Sequence, residues 1–167
     1  DVRGIAGTAP YLRDGSYPRI ADLHSVAQAL YRGYREPADD RGGAFEAWIS
    51  AQPPPWLPRE RDPARERRGL DVFVRAGCPD CHAFPAFTNL GQHPAGAVFP
   101  RAGLAPGRSL DTPSLRGVGE RARLLFDGRA RGPREVITTH SRDGRHGRVG
   151  ALRTAEIDDL VIFLESL

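Results

Sequence analysis

Five consecutive residues, Cys78-Pro79-Asp80-Cys81-His82, constrain this chain more than any other feature. The pattern C-x-x-C-H is the attachment site of a c-type haem. Two thiols add to the two vinyl groups of the porphyrin, and the adjoining imidazole is held under the iron as proximal ligand. Two close cysteines also occur as a zinc half-site or as a redox pair. A structural zinc site takes four ligands. Cys78 and Cys81 are the only cysteines, and no H-x3-5-H pair follows them at finger spacing. A thioredoxin-type pair needs a βαβ context, and none is visible here. One covalent haem c is therefore expected, tethered by Cys78 and Cys81 and ligated by His82.

The chain has 167 residues, enough for one full domain and something smaller. Its 19 Gly and 15 Pro imply much loop and turn, with helix in short pieces around a cofactor that supplies part of the core. The net charge is +3 and every basic residue is Arg. These arginines are interleaved with acids, so no nucleic-acid stripe is present. A modest basic surface suits an acidic redox partner protein. Covalent haem is attached outside the bacterial cytoplasm, so a periplasmic or extracellular protein is expected. No signal peptide opens the chain and no apolar run reaches the length of a membrane span, which reads as a mature form or a fragment of something longer.

An internal repeat divides the chain. Arg3-Gly4 stands eleven positions before Asp14-Gly15, as Arg116-Gly117 does before Asp127-Gly128. The same offset of 113 pairs Ile5 with Val118, Asp22 with Glu135 and Leu23 with Val136. In the first copy, Ile20, Leu23, Ala27, Leu30 and Tyr31 fall at helical spacing. Ala44 to Ala51 predicts a second short helix with Phe45, Trp48 and Ile49 on one face. Pro53-Pro54-Pro55 cannot continue it, and residues 53–62 read as a stiff linker.

The second unit starts with Asp62 as N-cap and Pro63 in the first turn of a helix. That helix runs from Ala64 to Ala76, with Leu70, Phe73 and Val74 on its apolar face, and Gly77 ends it. Residues 83–111 read as a long loop whose Phe84, Phe87, Leu90, Phe99 and Leu104 wrap a haem edge. Pro133 to His140 predicts a short helix with Val136 and Ile137 inward, and 142–150 a polar loop. A last helix is capped by Thr154 and buries Ile157, Leu160, Val161 and Leu164. Its Glu156, Asp158 and Asp159 are expected to face outward or favour the N-terminus. The fold class is all-α and loop-rich. Residues 63–167 form a mono-haem class I cytochrome c-like domain. Residues 1–52 form the C-terminal half of a second such domain, without a haem motif. By the repeat offset, that half's own C-x-x-C-H would fall roughly 35 residues before residue 1.

Several runs resemble the dihaem cytochrome c peroxidase and MauG-type family. They are Asp111 to Val118 (DTPSLRGV), Phe126 to Arg129 (FDGR), Phe87 to Gly91 (FTNLG), Ile157 to Leu167, and Ala9 to Gly15 (APYLRDG). In the last of these Arg13 stands where the family commonly has His. The resemblance covers nearly the whole chain. It implies two cytochrome c domains, one haem passing electrons and the other reacting with peroxide or storing oxidising equivalents. It also implies that Arg116 pairs with a haem propionate, against the alternative of an ordinary surface salt bridge. The chain departs from the family in carrying one haem motif and an incomplete first domain.

With no Met in the chain, His/Met coordination is impossible. The sixth iron position falls to His24, His93, His140, His146, a Tyr or nothing. His146 precedes the terminal helix at the place where small cytochromes carry their Met, and is preferred. His140, at the end of the Val136–Thr139 helix, matches the axial Met of the dihaem peroxidases and comes second. His93 is expected to hydrogen-bond near the haem edge, and His24 to lie on a surface or interface. Trp48 and Trp56 are read as packing residues. His/His ligation lowers the potential relative to His/Met and leaves no room for substrate. The leading expectation is thus an electron-transfer module with no catalytic residue. The alternative is a fragment of a peroxidase-like haem oxidoreductase whose other haem lies on upstream sequence or another chain. In either case residues 1–52 are expected to dock on another domain or subunit.

Overall fold

The computed structural model describes residues 4–23, 30, 41–53, 61–94, 98 and 107–167. Three α-helices stand out, α1 (Arg41–Ser50), α2 (Pro63–Arg75) and α3 (Thr154–Glu165). Before α3, a helical turn at Pro133–Glu135 runs on as a π turn, Val136–His140. The helix expected through Ala27 and Tyr31, most of the 53–62 linker with Trp56, and Phe99 and Leu104 lie outside the described residues.

α2 begins where its sequence says it should. The Asp62 carboxylate accepts the Arg65 N–H at 3.0 Å, and Pro63 occupies the first turn. Gly77, at φ +76°, takes the left-handed conformation that turns the chain out of the helix. The buried face matches the expected one in part: Phe73 is buried and Leu70 packs half-buried against the core, but Val74 does not. Val74 is 52% exposed, while Gly69, Val72, Phe73 and Ala76 face inward. Both sets have helical spacing, and the crossing with α3 decides between them. A Cβ on Gly69 would lie 2.1 Å from the Asp159 carbonyl oxygen and 2.6 Å from the Phe163 Cβ. The helices meet backbone to backbone at a residue with no side chain, and the buried face takes it in.

α3 buries Ile157, Leu160, Val161 and Leu164 as expected, and Phe163 with them. Its cap is Arg153 rather than Thr154: the Arg153 N–H donates to the Glu156 carboxylate at 3.0 Å. Asp159 does not face freely outward. It is 8% exposed, and its carboxylate accepts from Arg65 Nε at 2.7 Å and Arg68 Nε at 2.6 Å. The group lies near the surface under two guanidiniums, paired rather than sunk in apolar surroundings. Val118, Ile137 and Val149 complete the core formed by the two helices. Phe73 links α3 to the loop, its ring 5.3 Å from Phe163 and 6.2 Å from Phe87.

The fold is helix-rich and loop-rich as expected, but the long loop is not wholly irregular and carries a small antiparallel sheet. β1 (Gln92–Pro94) pairs with β2 (Ser109–Asp111), Gln92 opposite Asp111 and His93 opposite Leu110. Strands of three residues, one holding a Pro, are too short to show an alternating pattern.

The repeat is visible in the backbone. Tyr11 bridges Tyr17 in the first copy and Leu124 bridges Ala130 in the second. Leu12 and Leu125, a non-glycine pair with positive φ, have values of +68° and +67°. The first-copy turn is sutured to the sheet: the Asp111 N–H donates to Arg13 O at 2.9 Å, and Gln92 Nε2 to Asp14 O at 3.0 Å. α1 starts three residues before the expected position and buries Ile49. Phe45 and Trp48, expected on the same face, are 44% and 60% exposed and stack on each other at 6.4 Å.

A helix leading into a C-x-x-C-H turn, a looped middle and a terminal helix crossing the first make an arrangement compatible with a cytochrome c-like fold. No helix among the described residues is long and apolar enough to cross a membrane.

Candidate haem site

The site starts at the end of α2. Cys78–Asp80 forms a single 3-10 turn, and the His82 N–H donates to Cys78 O at 2.8 Å. The turn is anchored from below: the Asn89 N–H donates to Cys81 O at 2.7 Å and Asn89 Nδ2 to Asp80 O at 3.2 Å. These bonds place both thiols and the His82 ring on one short, braced segment.

His82 is 8% exposed. Its Nδ1 lies 3.2 Å from Phe87 O and 3.1 Å from Pro113 O. A carbonyl oxygen only accepts, so Nδ1 carries the proton and Nε2 keeps the lone pair that a metal takes. Burial lowers the pKa of His82, so the ring is neutral at pH 7.

The loop expected at 142–150 closes over the same place. The Arg148 N–H donates to Ala76 O at 2.8 Å, and Arg148 Nη2 donates to Arg75 O at 3.1 Å. A Cβ on Gly147 would stand 3.8 Å from Cys78 Sγ. The segment is thus clamped to the C-terminal end of α2, and His146 is carried against His82. The two ring centroids are 6.1 Å apart, with planes at 69°. His146 Nδ1 lies 3.0 Å from Ser141 Oγ. Burial, with His82 nearby, pushes the pKa of His146 down to about 4, so it too is neutral.

The other expected ligands have different surroundings. His140 ends the π turn with a buried Nε2 that makes no hydrogen bond and lies 3.8 Å from a Glu135 carboxylate oxygen. His93 is on β1, its buried Nε2 also without a hydrogen bond, near enough to depress the His82 pKa slightly. His24 is outside the described residues. Arg116 donates to two backbone carbonyls, Ala6 and Pro85, each at 3.3 Å, and pairs with no carboxylate among the described residues. Sequence reading missed Ser141 and the carbonyls of Phe87 and Pro113. Backbone carbonyls leave no trace in side-chain pattern, and no motif marks Ser141.

These residues fit a covalent haem c. Two metal–imidazole bonds of about 2 Å each, together with the half-widths of two rings, span roughly 6 Å, close to the observed centroid separation. The thiols are also unlike those of a redox pair, whose reactive Cys has a depressed pKa. Burial pushes Cys78 up to about 11 and also raises Cys81. A zinc site finds no support, because no three His, Cys, Asp or Glu side chains converge among the described residues.

No protein-family model matches the chain, and no curated protein matches it. Among solved structures it is similar to a chain of Kuenenia stuttgartiensis hydrazine synthase, pressurized with 20 bar xenon. The match has 20% identity and a TM-score of 0.76, and it covers 99% of this chain and 70% of that one. At that identity the likeness is one of fold, and it spans both the repeat in residues 4–23 and the C-x-x-C-H unit.

Proposed function

We propose that this chain is a c-type cytochrome electron-transfer module with one haem, tethered by Cys78 and Cys81 and ligated by His82 and His146. The observation that carries the reading is the pair of neutral imidazoles 6.1 Å apart, His82 buried and His146 partly buried, each held by its Nδ1. The haem, when bound, supplies reversible one-electron chemistry. The protein's part is to hold both ligands rigidly, so that little reorganises when charge changes, and to keep water off the iron through the surrounding apolar core. His140, whose Nε2 lies 3.8 Å from Glu135, has the weaker case as sixth ligand. Arg116 remains the residue proposed to face a haem propionate, with donors beyond those it gives to Ala6 and Pro85. The compartment that fits this cofactor is periplasmic or extracellular.

A second reading, part of a larger haem oxidoreductase, is favoured by the repeat. Residues 1–52 then represent half of a second haem unit, 53–62 the linker and 63–167 the first complete unit. The exposed Phe45 and Trp48 suit contact with a further domain or subunit. The similarity to a hydrazine synthase structure is in keeping with this reading.

Absorption spectra of oxidised and reduced protein, with and without carbon monoxide, test the proposal. Low-spin bands indifferent to carbon monoxide are expected, and His146→Ala, not His140→Ala, should open the iron. A high-spin spectrum with ready carbon monoxide binding in the unmodified protein would sink the ligand assignment and move the oxidoreductase reading to first place.

A further inference from the structure

Ser141 follows directly on the π turn and is 1% exposed. Its Oγ lies 2.7 Å from Val136 O and 3.0 Å from His146 Nδ1. A hydroxyl has one proton and lone pairs to accept with. Val136 O can only accept, so the Ser141 proton goes there. The bond left to His146 must then run the other way, from Nδ1–H to Oγ. In a regular α-helix a Ser hydroxyl bonds back four residues. Here it reaches back five, the span of the wider turn. The two sides of the site are therefore built differently. Backbone carbonyls accept from His82, whereas a side-chain hydroxyl accepts from His146.

We propose that Ser141 is the positioning residue of the sixth-ligand side: its hydroxyl, committed to Val136 O, holds His146 as the Nδ1–H tautomer and so turns Nε2 over to the iron. This rests on the reading of His146 as ligand and adds the element that decides how tightly it binds. Outer-shell partners of a metal-bound His are worth about 10–100-fold in metal affinity. Ser141→Ala removes the hydroxyl that lies 3.0 Å from Nδ1 and weakens the hold on the tautomer that can ligate.

The test is the carbon monoxide affinity of the reduced haem protein, measured for wild type, Ser141→Ala, Ser141→Thr, Ser141→Cys and His146→Ala. Affinity should rise about 10–100-fold in Ser141→Ala, return towards wild type in Ser141→Thr, which keeps the hydroxyl, and fall between in Ser141→Cys, whose S–H is a weaker partner. His146→Ala separates the two ideas. If it leaves carbon monoxide binding unchanged, the ligand reading fails. If it opens the iron while Ser141→Ala stays within twofold of wild type, His146 stands and the positioning role is overturned. Should Ser141→Ala not fold, a wild-type affinity in Ser141→Cys overturns it equally.

Discussion

Replacing Gly69 by Ala should destabilise the protein, against the usual sign for that change. In an exposed helix interior, Gly→Ala gains about 1 kcal/mol. Here the added Cβ would stand 2.1 Å from the Asp159 carbonyl oxygen, 2.6 Å from the Phe163 Cβ and 2.7 Å from the Asp159 carbonyl carbon. These separations fall about 0.8–1.4 Å short of ordinary contact at about 3.5 Å. Two of the three obstacles are backbone atoms of α3, so no side-chain rotation relieves them. α2 and α3 must part by about 1 Å. A gap of that size forfeits roughly a quarter to a half of each dispersion contact across it, and Phe73, Leu160 and Phe163 all pack near this crossing. Overpacking costs about 1–3 kcal/mol, occasionally more, and the backbone collision places this case at the upper end. Offsetting the helix gain leaves a net loss of about 2 kcal/mol. For a chain of this size that lowers Tm by roughly 4–8 °C. Urea and thermal unfolding of the haem protein, followed by far-ultraviolet circular dichroism, read it directly. An unchanged or raised midpoint would show that the helices do not cross at this residue.

Three further outcomes follow from other contacts. Gly15 and Gly128 are repeat equivalents with φ of +64° and +71°, so Ala at either costs about 1 kcal/mol in backbone terms. A Cβ at Gly15 also meets Gln92 Nε2 at 2.3 Å, whereas one at Gly128 finds Arg123 Cβ at 3.6 Å. Gly15→Ala should therefore cost more, and Gln92→Ala should recover part of the difference in a double-mutant cycle; equal losses would count against the sutured turn. Hydrogen bonds from Arg68 and Arg65 hold Asp159 below the usual carboxylate range, and those from Arg153 and Arg75 hold Glu156 at about 2. Their stabilisation is fully present above the unfolded carboxylate pKa of about 4 and is lost as pH falls through the lowered folded values. Urea midpoints should drop between about pH 4 and 2, less so in Asp159→Asn. Finally, acid–butanone extraction should leave haem on Cys78→Ala or Cys81→Ala and remove it from the double variant; release from either single variant would contradict two thioether links.

What the sequence by itself determined was local. The C-x-x-C-H turn, the Asp62-Pro63 helix start and the buried stripe of the last helix each depend on residues within a few positions of one another. The repeat was legible too, because the same side chains recur around the same turn, and the absence of Met ruled out one coordination outright. Only the tertiary structure decided the rest. The inward face of α2 takes in Gly69 and leaves out Val74, because how closely two helices approach is a property of the pair. Asp159 was expected outside because its partners, Arg65 and Arg68, sit on a different helix. Sequence spacing ranked His146 ahead of His140. They part in the fold because Arg148 clamps the 146 loop to the end of α2, while His140 stays beside Glu135. Ser141 gave no signal at all, since its contact with His146 exists only where a π turn and a returning loop meet.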